Sequence, residues 1–259
     1  GKTWFGSINT AKLPEYTKIL QIRKDCYYTA ATVVGNKILA ARDGQGSGLY
    51  LIDPSNRYQA VYAGNLDKAL VDMAYSPNSN LVFGVEGVNL HSFRPDDIDG
   101  FEGVADMGDA TLGEKLVGIT YAGSSEEATH GLVDWFCVVT QGGRLFEFGY
   151  SIEENGFLYD NDSKEIFRDL GDTGIRTGDE WTYNSLYCDP ISGYMFWSAY
   201  DGGDAVKLYA LAPYESGDGT SLAAYFLGSL PQGDWPFVGI HGTSGRDGYS
   251  FATKRKEGG

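Results

Sequence analysis

The chain has 259 residues, with 20 Lys and Arg against 35 Asp and Glu, giving a formal charge of −15. This length buries a large core without disulfides or metals, and 42% hydrophobic residues exclude a disordered acidic tail. The charge excludes a nucleic-acid binder, because the one dense basic run is Lys254, Arg255 and Lys256 at the chain's end.

The 36 glycines are twice the usual share of about 7%, and aromatics reach 14%. That mixture predicts short strands and tight turns. Cys26, Cys137 and Cys188 lie in apolar or aromatic runs with no close-spaced pair. They read as buried free thiols, not as a zinc site or a disulfide scaffold. With no initiator Met and no apolar stretch of 18 residues, the chain reads as a monomeric domain cut from a longer protein, without direct membrane insertion.

In chain order, extended runs are predicted at 4–8 and 17–22, and then a unit recurs. Its first strand is 27–33 (YYTAATV), 69–75 (ALVDMAY), 115–121 (KLVGITY), 181–187 (WTYNSLY) and 236–241 (PFVGIH). A polar turn leads into a second strand, such as 81–83 or 194–197. A glycine-rich loop then leads into a third, such as 48–53, 88–93, 143–148 or 207–211. A fourth run ends near Gly64, Gly108, Gly171 or Gly228. Residues 162–170 would suit a short helix from an Asp cap, but the repeat makes them an outer strand. Val71 and Val117 are 46 residues apart, within the ~40–50 of blade repeats. The next interval is longer because 124–130 and 151–163 read as loop insertions.

Four antiparallel strands per unit predict an all-β fold, a five-bladed β-propeller, in preference to an open sandwich. The expected blades are 23–64, 65–108, 109–171, 172–228, and 229–259 completed by 1–22. In the last blade, 237–242 and 249–254 supply two strands and the N-terminal runs the other two, removing an exposed edge.

The phrases at 49–55 (LYLIDPS), 71–77 (VDMAYSP) and 81–84 (LVFG) resemble a blade signature. It is similar to that of propeller domains in secreted or wall-attached surface proteins of Gram-positive bacteria, often beside bacterial immunoglobulin-like modules. Its residues form turns and core: Asp53 and Asp189, each before a proline, start tight turns, while Tyr75, Tyr121 and Tyr187 pack between sheets. The resemblance implies the fold and an extracellular or cell-surface location, and it names no ligand.

In such a fold, the fourth-to-first connections and the second-to-third loops open on one face. That face carries Trp181, Trp235, Tyr200, Asp201, Asp179 and Asp234. Aromatic rings beside carboxylates are equipment for a sugar, the ring taking the C–H face and the polar groups the hydroxyls. The two tryptophans equally suit spaces between blades. On the axis, Asp72 and Asn184 stand out among small residues, and Asp72 is expected to point into the channel. It would meet water, inward peptide N–H groups (Ser185 or Asn184 nearby), or a calcium or sodium ion, which needs many oxygen ligands.

Catalytic patterns are missing. His91, His130 and His241 fall in different blades, there is no HExxH or GxSxG, and the paired glycines at 44–46 open no helix. Glycoside hydrolysis needs two carboxylates across the sugar, and nothing in the sequence selects a pair such as Asp179 with Asp234. The expectation is a non-catalytic recognition module binding a glycan or a surface protein. A carbohydrate-active enzyme using acids in the funnel and a purely structural domain are the alternatives.

Overall fold

The computed structural model describes residues 3–8, 16–23, 26–44, 47–65, 70–98, 101–158, 167–177, 185–189, 193–199, 206–212, 222–229, 237–242 and 249–254. At 3–8, 16–23, 26–27, 43–44, 237–242 and 249–254 only the backbone is described. Among these residues the secondary structure is β, apart from a 3₁₀ turn at Pro54–Asn56. There Asp53 accepts from the Ser55 N–H at 2.8 Å and the Ser55 hydroxyl at 2.6 Å, the turn that its Asp-Pro start predicts.

The strands run in chain order. β1 (Thr3–Ile8) and β2 (Tyr16–Arg23) precede β3 (Cys26–Val34), β4 (Lys37–Gly44), β5 (Gly48–Asp53) and β6 (Gln59–Gly64). Next come β7 (Asp72–Ser76), β8 (Leu81–Glu86), β9 (Asn89–Phe93) and β10 (Gly103–Asp106). The third group is β11 (Leu116–Glu127), β12 (Gly131–Thr140), β13 (Arg144–Ser151), β14 (Gly156–Phe157) and β15 (Phe167–Asp172). β16 (Ser185–Cys188), β17 (Met195–Ala199), β18 (Lys207–Ala212) and β19 (Ala223–Ser229) follow, then β20 (Phe237–Gly242) and β21 (Tyr249–Lys254).

These strands build a β-propeller arrangement. Four sheets are four-stranded antiparallel blades: β3 to β6, β7 to β10, β16 to β19, and β20-β21-β1-β2. Four such blades are present, not the expected five, because the sheet of β11 to β15 carries five strands. The cause is the segment read as a loop insertion. It turns back at 152–155 so that β14 pairs with the end of β13 at Tyr150 and Ser151, while β15 pairs with Arg144–Phe148. The 124–130 insertion is likewise no loop; β11 and β12 stay paired to Glu127 and Gly131. In the sheet that joins the termini, β1 pairs with β21 from Thr3↔Lys254 to Ile8↔Tyr249.

Repeat equivalence appears as bulges. The pairing of the first two strands skips Thr29 in β3, Val117 in β11 and Val238 in β20. These are aligned positions of the sequence repeat. Outer pairs skip Ala63, Leu170 and Leu227, each just before the glycine that punctuates the fourth run. A bulge adds twist at that point, which each blade needs as it leaves the axis.

The innermost strands touch in the cyclic order β3, β7, β11, β16, β20 and back to β3. Because side chains alternate along a strand, a blade buried on both faces reads as a near-continuous apolar run. β12 (GLVDWFCVVT) is such a strand: Phe136 and Val138 join the core shared with β8 and β9, while Cys137 and Val139 join Leu186 and Trp197 on the other side. The first core is aromatic, with Phe136 stacked on Phe148 at 5.2 Å and 4.3 Å from Phe83. At the axis, a Cβ on Gly118 would lie 2.9 Å from Val139 Cγ1 and 3.1 Å from Leu186 Cβ, so only glycine fits that approach.

Candidate functional site

Where the innermost strands end, they surround a cavity of about 240 Å³. Its floor is buried and comes from four strands: Thr32 of β3, Met73 of β7, Ile119 and Thr120 of β11, and Leu186 and Cys188 of β16. Its rim holds Val33, Tyr75, Pro77, Tyr121, Gly123 and Tyr187, each at least partly exposed. Among the described residues, no lining residue carries a formal charge.

Tyr75, Tyr121 and Tyr187 occupy the same place in successive repeats. Tyr75 and Tyr121 do pack against the inter-blade cores, as expected, and the same rings also line the cavity. The Tyr75 hydroxyl donates to Asn80 Oδ1 at 3.1 Å. Asn80 sits at φ 54°, a left-handed conformation that asparagine tolerates in a hairpin. Tyr150 and Asn155 repeat the device, at 3.0 Å and φ 51°. Tyr121 is tied to the neighbouring blade, its hydroxyl accepting from Asn78 Nδ2 at 3.0 Å. Burial raises both Tyr75 and Tyr121 above the ordinary phenol value, so both keep their protons.

Beneath the floor the axis is closed by Asp72, which is 1% exposed. Its Oδ2 accepts from the peptide N–H of Ile119 at 2.9 Å and of Leu186 at 3.1 Å, while the Ser185 hydroxyl lies 3.3 Å from Oδ1. One carboxyl therefore links β7, β11 and β16. Burial pushes its pKa well above the ordinary 3.8, opposed by the N–H groups of Ile119, Leu186 and Met73 and by Ser185. Of the partners expected for Asp72, inward N–H groups and Ser185 are within hydrogen-bond reach. This donor set does not fit calcium or sodium, since a cation needs converging oxygens and Oδ2 is faced by N–H groups. Asn184, the other expected ligand, lies outside the described residues, among which no group of three His, Cys, Asp or Glu is placed to hold a metal.

A second polar junction flanks the cavity. The Ser76 hydroxyl donates to Asp134 Oδ2 at 2.5 Å, and Asn78 Nδ2 reaches Asp134 Oδ1, Tyr121 and Ser124 at 3.0–3.2 Å. Asp134 is fully buried. The β11–β12 and β13–β14 hairpins extend from this end of the molecule, joined by His130 Nδ1 and Glu154 Oε1 at 2.9 Å and by the Ser151 hydroxyl donating to the His130 carbonyl.

Cys188 on the floor and Cys137 behind it are free and buried, as expected of two of the three cysteines. Burial, then Asp189, raises the Cys188 thiol to about 11, and burial drives Cys137 well above its ordinary value. Neither is a thiolate at neutral pH. His91 is buried against Phe101, with Nε2 3.6 Å from Glu86 Oε2.

Trp181, Trp235, Tyr200, Asp201, Asp179 and Asp234 lie outside the described residues. The cavity lies where the described innermost strands end, not where they begin. The sequence does contain its signal, a tyrosine near the end of each of three successive first strands. The Ser76–Asp134 junction left no such trace, because it joins residues 58 apart whose contact only blade packing creates.

No protein-family model matches the chain, and no curated protein matches it in sequence. The backbone is similar to the crystal structure of a structural-genomics protein of unknown function from Bacteroides thetaiotaomicron VPI-5482. The TM-score is 0.51 at 14% identity, over 81% of this chain and 45% of that one. Hydrazine synthase from Kuenenia stuttgartiensis aligns with a TM-score of 0.43 at 11% identity, over 77% of this chain and 49% of that one. The chain thus spans less than half the length of either structure, and the first likeness supports the fold alone.

Proposed function

We propose that this chain is a non-catalytic recognition module of a bacterial surface protein, and that it takes its ligand in the cavity ringed by Tyr75, Tyr121 and Tyr187. The ligand is a glycan or an exposed group of a surface protein. The observation that carries this reading is an open, aromatic-rimmed cavity whose described lining has hydroxyls and apolar groups but no charge. General acid–base chemistry needs a titratable group within hydrogen-bond reach of the substrate. Among the described residues the lining offers phenols and a thiol held protonated, and the carboxyls nearby, Asp72 and Asp134, are buried and hydrogen-bonded. That argues for binding over hydrolysis. What supports the surface location is the resemblance at 49–55, 71–77 and 81–84.

A glycan array probed with the full chain tests this reading. Binding lost in Tyr121→Ala and Tyr187→Ala, and kept in Trp181→Ala and Trp235→Ala, is the expected pattern. Binding lost only in the tryptophan variants would move the site to those residues, and turnover of an arrayed glycan would make the protein an enzyme.

A further inference from the structure

We infer that Trp135 forms a second subsite beside the cavity, so that the ligand is a neutral glycan with its terminal ring between the tyrosines and its next ring on the indole. The inference rests on the cavity being the binding site and adds the ligand's class and length. The cavity, at about 240 Å³, is smaller than the ~300–1,000 Å³ of sites for drug-sized molecules, so it holds one ring rather than a chain. A longer ligand must continue outside.

Trp135 is where it would continue. Cross-strand from it are Gly123, on the cavity rim, and Gly149 on the other side. The indole is therefore flanked on both neighbouring strands by residues with no side chain. A Cβ at Gly149 would lie 3.0 Å from Trp135 Cζ3, so the ring rests against that backbone. The indole N–H donates to Ser125 Oγ at 2.8 Å, which fixes the ring plane. Among the described residues no aromatic or cationic side chain covers it, and it is part-exposed.

The distance suits a chain. Trp135 pairs directly with Gly123 of the cavity rim, a cross-strand spacing of about 5 Å. That is the scale of one sugar ring with its linkage. An aromatic platform takes the apolar C–H face of a pyranose, and the exposed Ser125, bonded to the indole N–H on the same face, is the hydroxyl beside it; Asn78 and Ser124 lie with Asp134 on the opposite face. Charge selects against acidic sugars, because the described lining is neutral and the chain carries −15.

The test titrates the full chain with cellobiose, maltose, lactose, mannobiose and chitobiose, their monosaccharides, and sialyllactose and a galacturonic acid disaccharide, read by saturation-transfer NMR and calorimetry. At least one neutral disaccharide should bind and the acidic ones should not. Trp135→Ala should weaken that disaccharide at least fivefold and change its monosaccharide less than twofold, with Trp135→Phe restoring most of the loss. Tyr121→Ala should weaken both. Preference for an acidic sugar, or equal loss of mono- and disaccharide in Trp135→Ala, would overturn the second subsite. Binding sensitive to Tyr121 but not to Trp135 would overturn it while leaving the cavity as the site; binding insensitive to both would remove the cavity too.

Discussion

Asp72 and Ser76 are four residues apart on one short strand, and both reach from β7 into the next blade. Their surroundings are opposite. At the Asp72 end the strands close, and a buried carboxyl is held by peptide N–H groups from two other strands. At the Ser76 end the strands part, hydroxyls and an amide gather, and an aromatic-rimmed cavity opens. The difference comes from side-chain size at equivalent repeat positions. Gly118 lets the chains close to contact at one end, and three tyrosines keep them apart at the other. The closed end holds the ring together; the open end is available to a ligand.

Removing the closed end's acceptor should have the largest effect. Asp72→Ala strands two buried N–H groups, at about 1–3 kcal/mol each, for a loss of roughly 2–6 kcal/mol in urea unfolding at acid pH. Asp72→Asn should be far milder, because an amide oxygen can accept from Ile119 and Leu186 while its NH₂ donates to Ser185. This pair also gives a signed pH dependence. Since the folded-state pKa is raised, the stability contributed by the titrating acid is fully present below the unfolded value near 3.8 and is lost as pH rises through the folded pKa. The wild type should therefore fall relative to Asp72→Asn as pH rises above about 4. A wild type that gains instead would mean the anion is the favoured native form.

At the open end, Ser76→Ala removes one donor from buried Asp134 and should cost about 1–3 kcal/mol, measured by the same unfolding curves. If it costs nothing, water replaces the hydroxyl and the junction is less enclosed than its geometry implies. The smallest effect concerns Cys188. With its thiol near 11, it should react with a disulfide reagent at pH 7.5 much more slowly than an unfolded control, and the rate should climb steadily towards pH 10. A fast reaction at neutral pH would point to a nucleophile on the cavity floor.

The repeat was readable because its bulges and terminal glycines recur. Thr29, Val117 and Val238 align in the sequence and prove to be the skipped residues of three blades. Strands 237–242 and 249–254 were legible to the residue, and so was the extra pairing of β1 with β21. The third sheet was misread because its added residues carry loop composition, Glu126–Glu127 and Glu153–Glu154, yet they continue the ladder as hairpins. The site was harder. Asp72 was recognisable as a polar residue on a small-residue axis, and Ser185 as its neighbour. The donors that satisfy it are peptide groups, however, and these have no sequence signature. Trp135 was hidden inside the apolar run of β12, where only the register shows that glycines lie on both sides of it.

The most direct test is a crystal structure of the full chain with a disaccharide that binds in the titration. The account predicts one pyranose ring between Tyr75, Tyr121 and Tyr187 above Met73, with Asp72 still sealed beneath the floor. A sugar found instead on Trp181, Trp235 or Tyr200, with the tyrosine cavity holding only water, would contradict it.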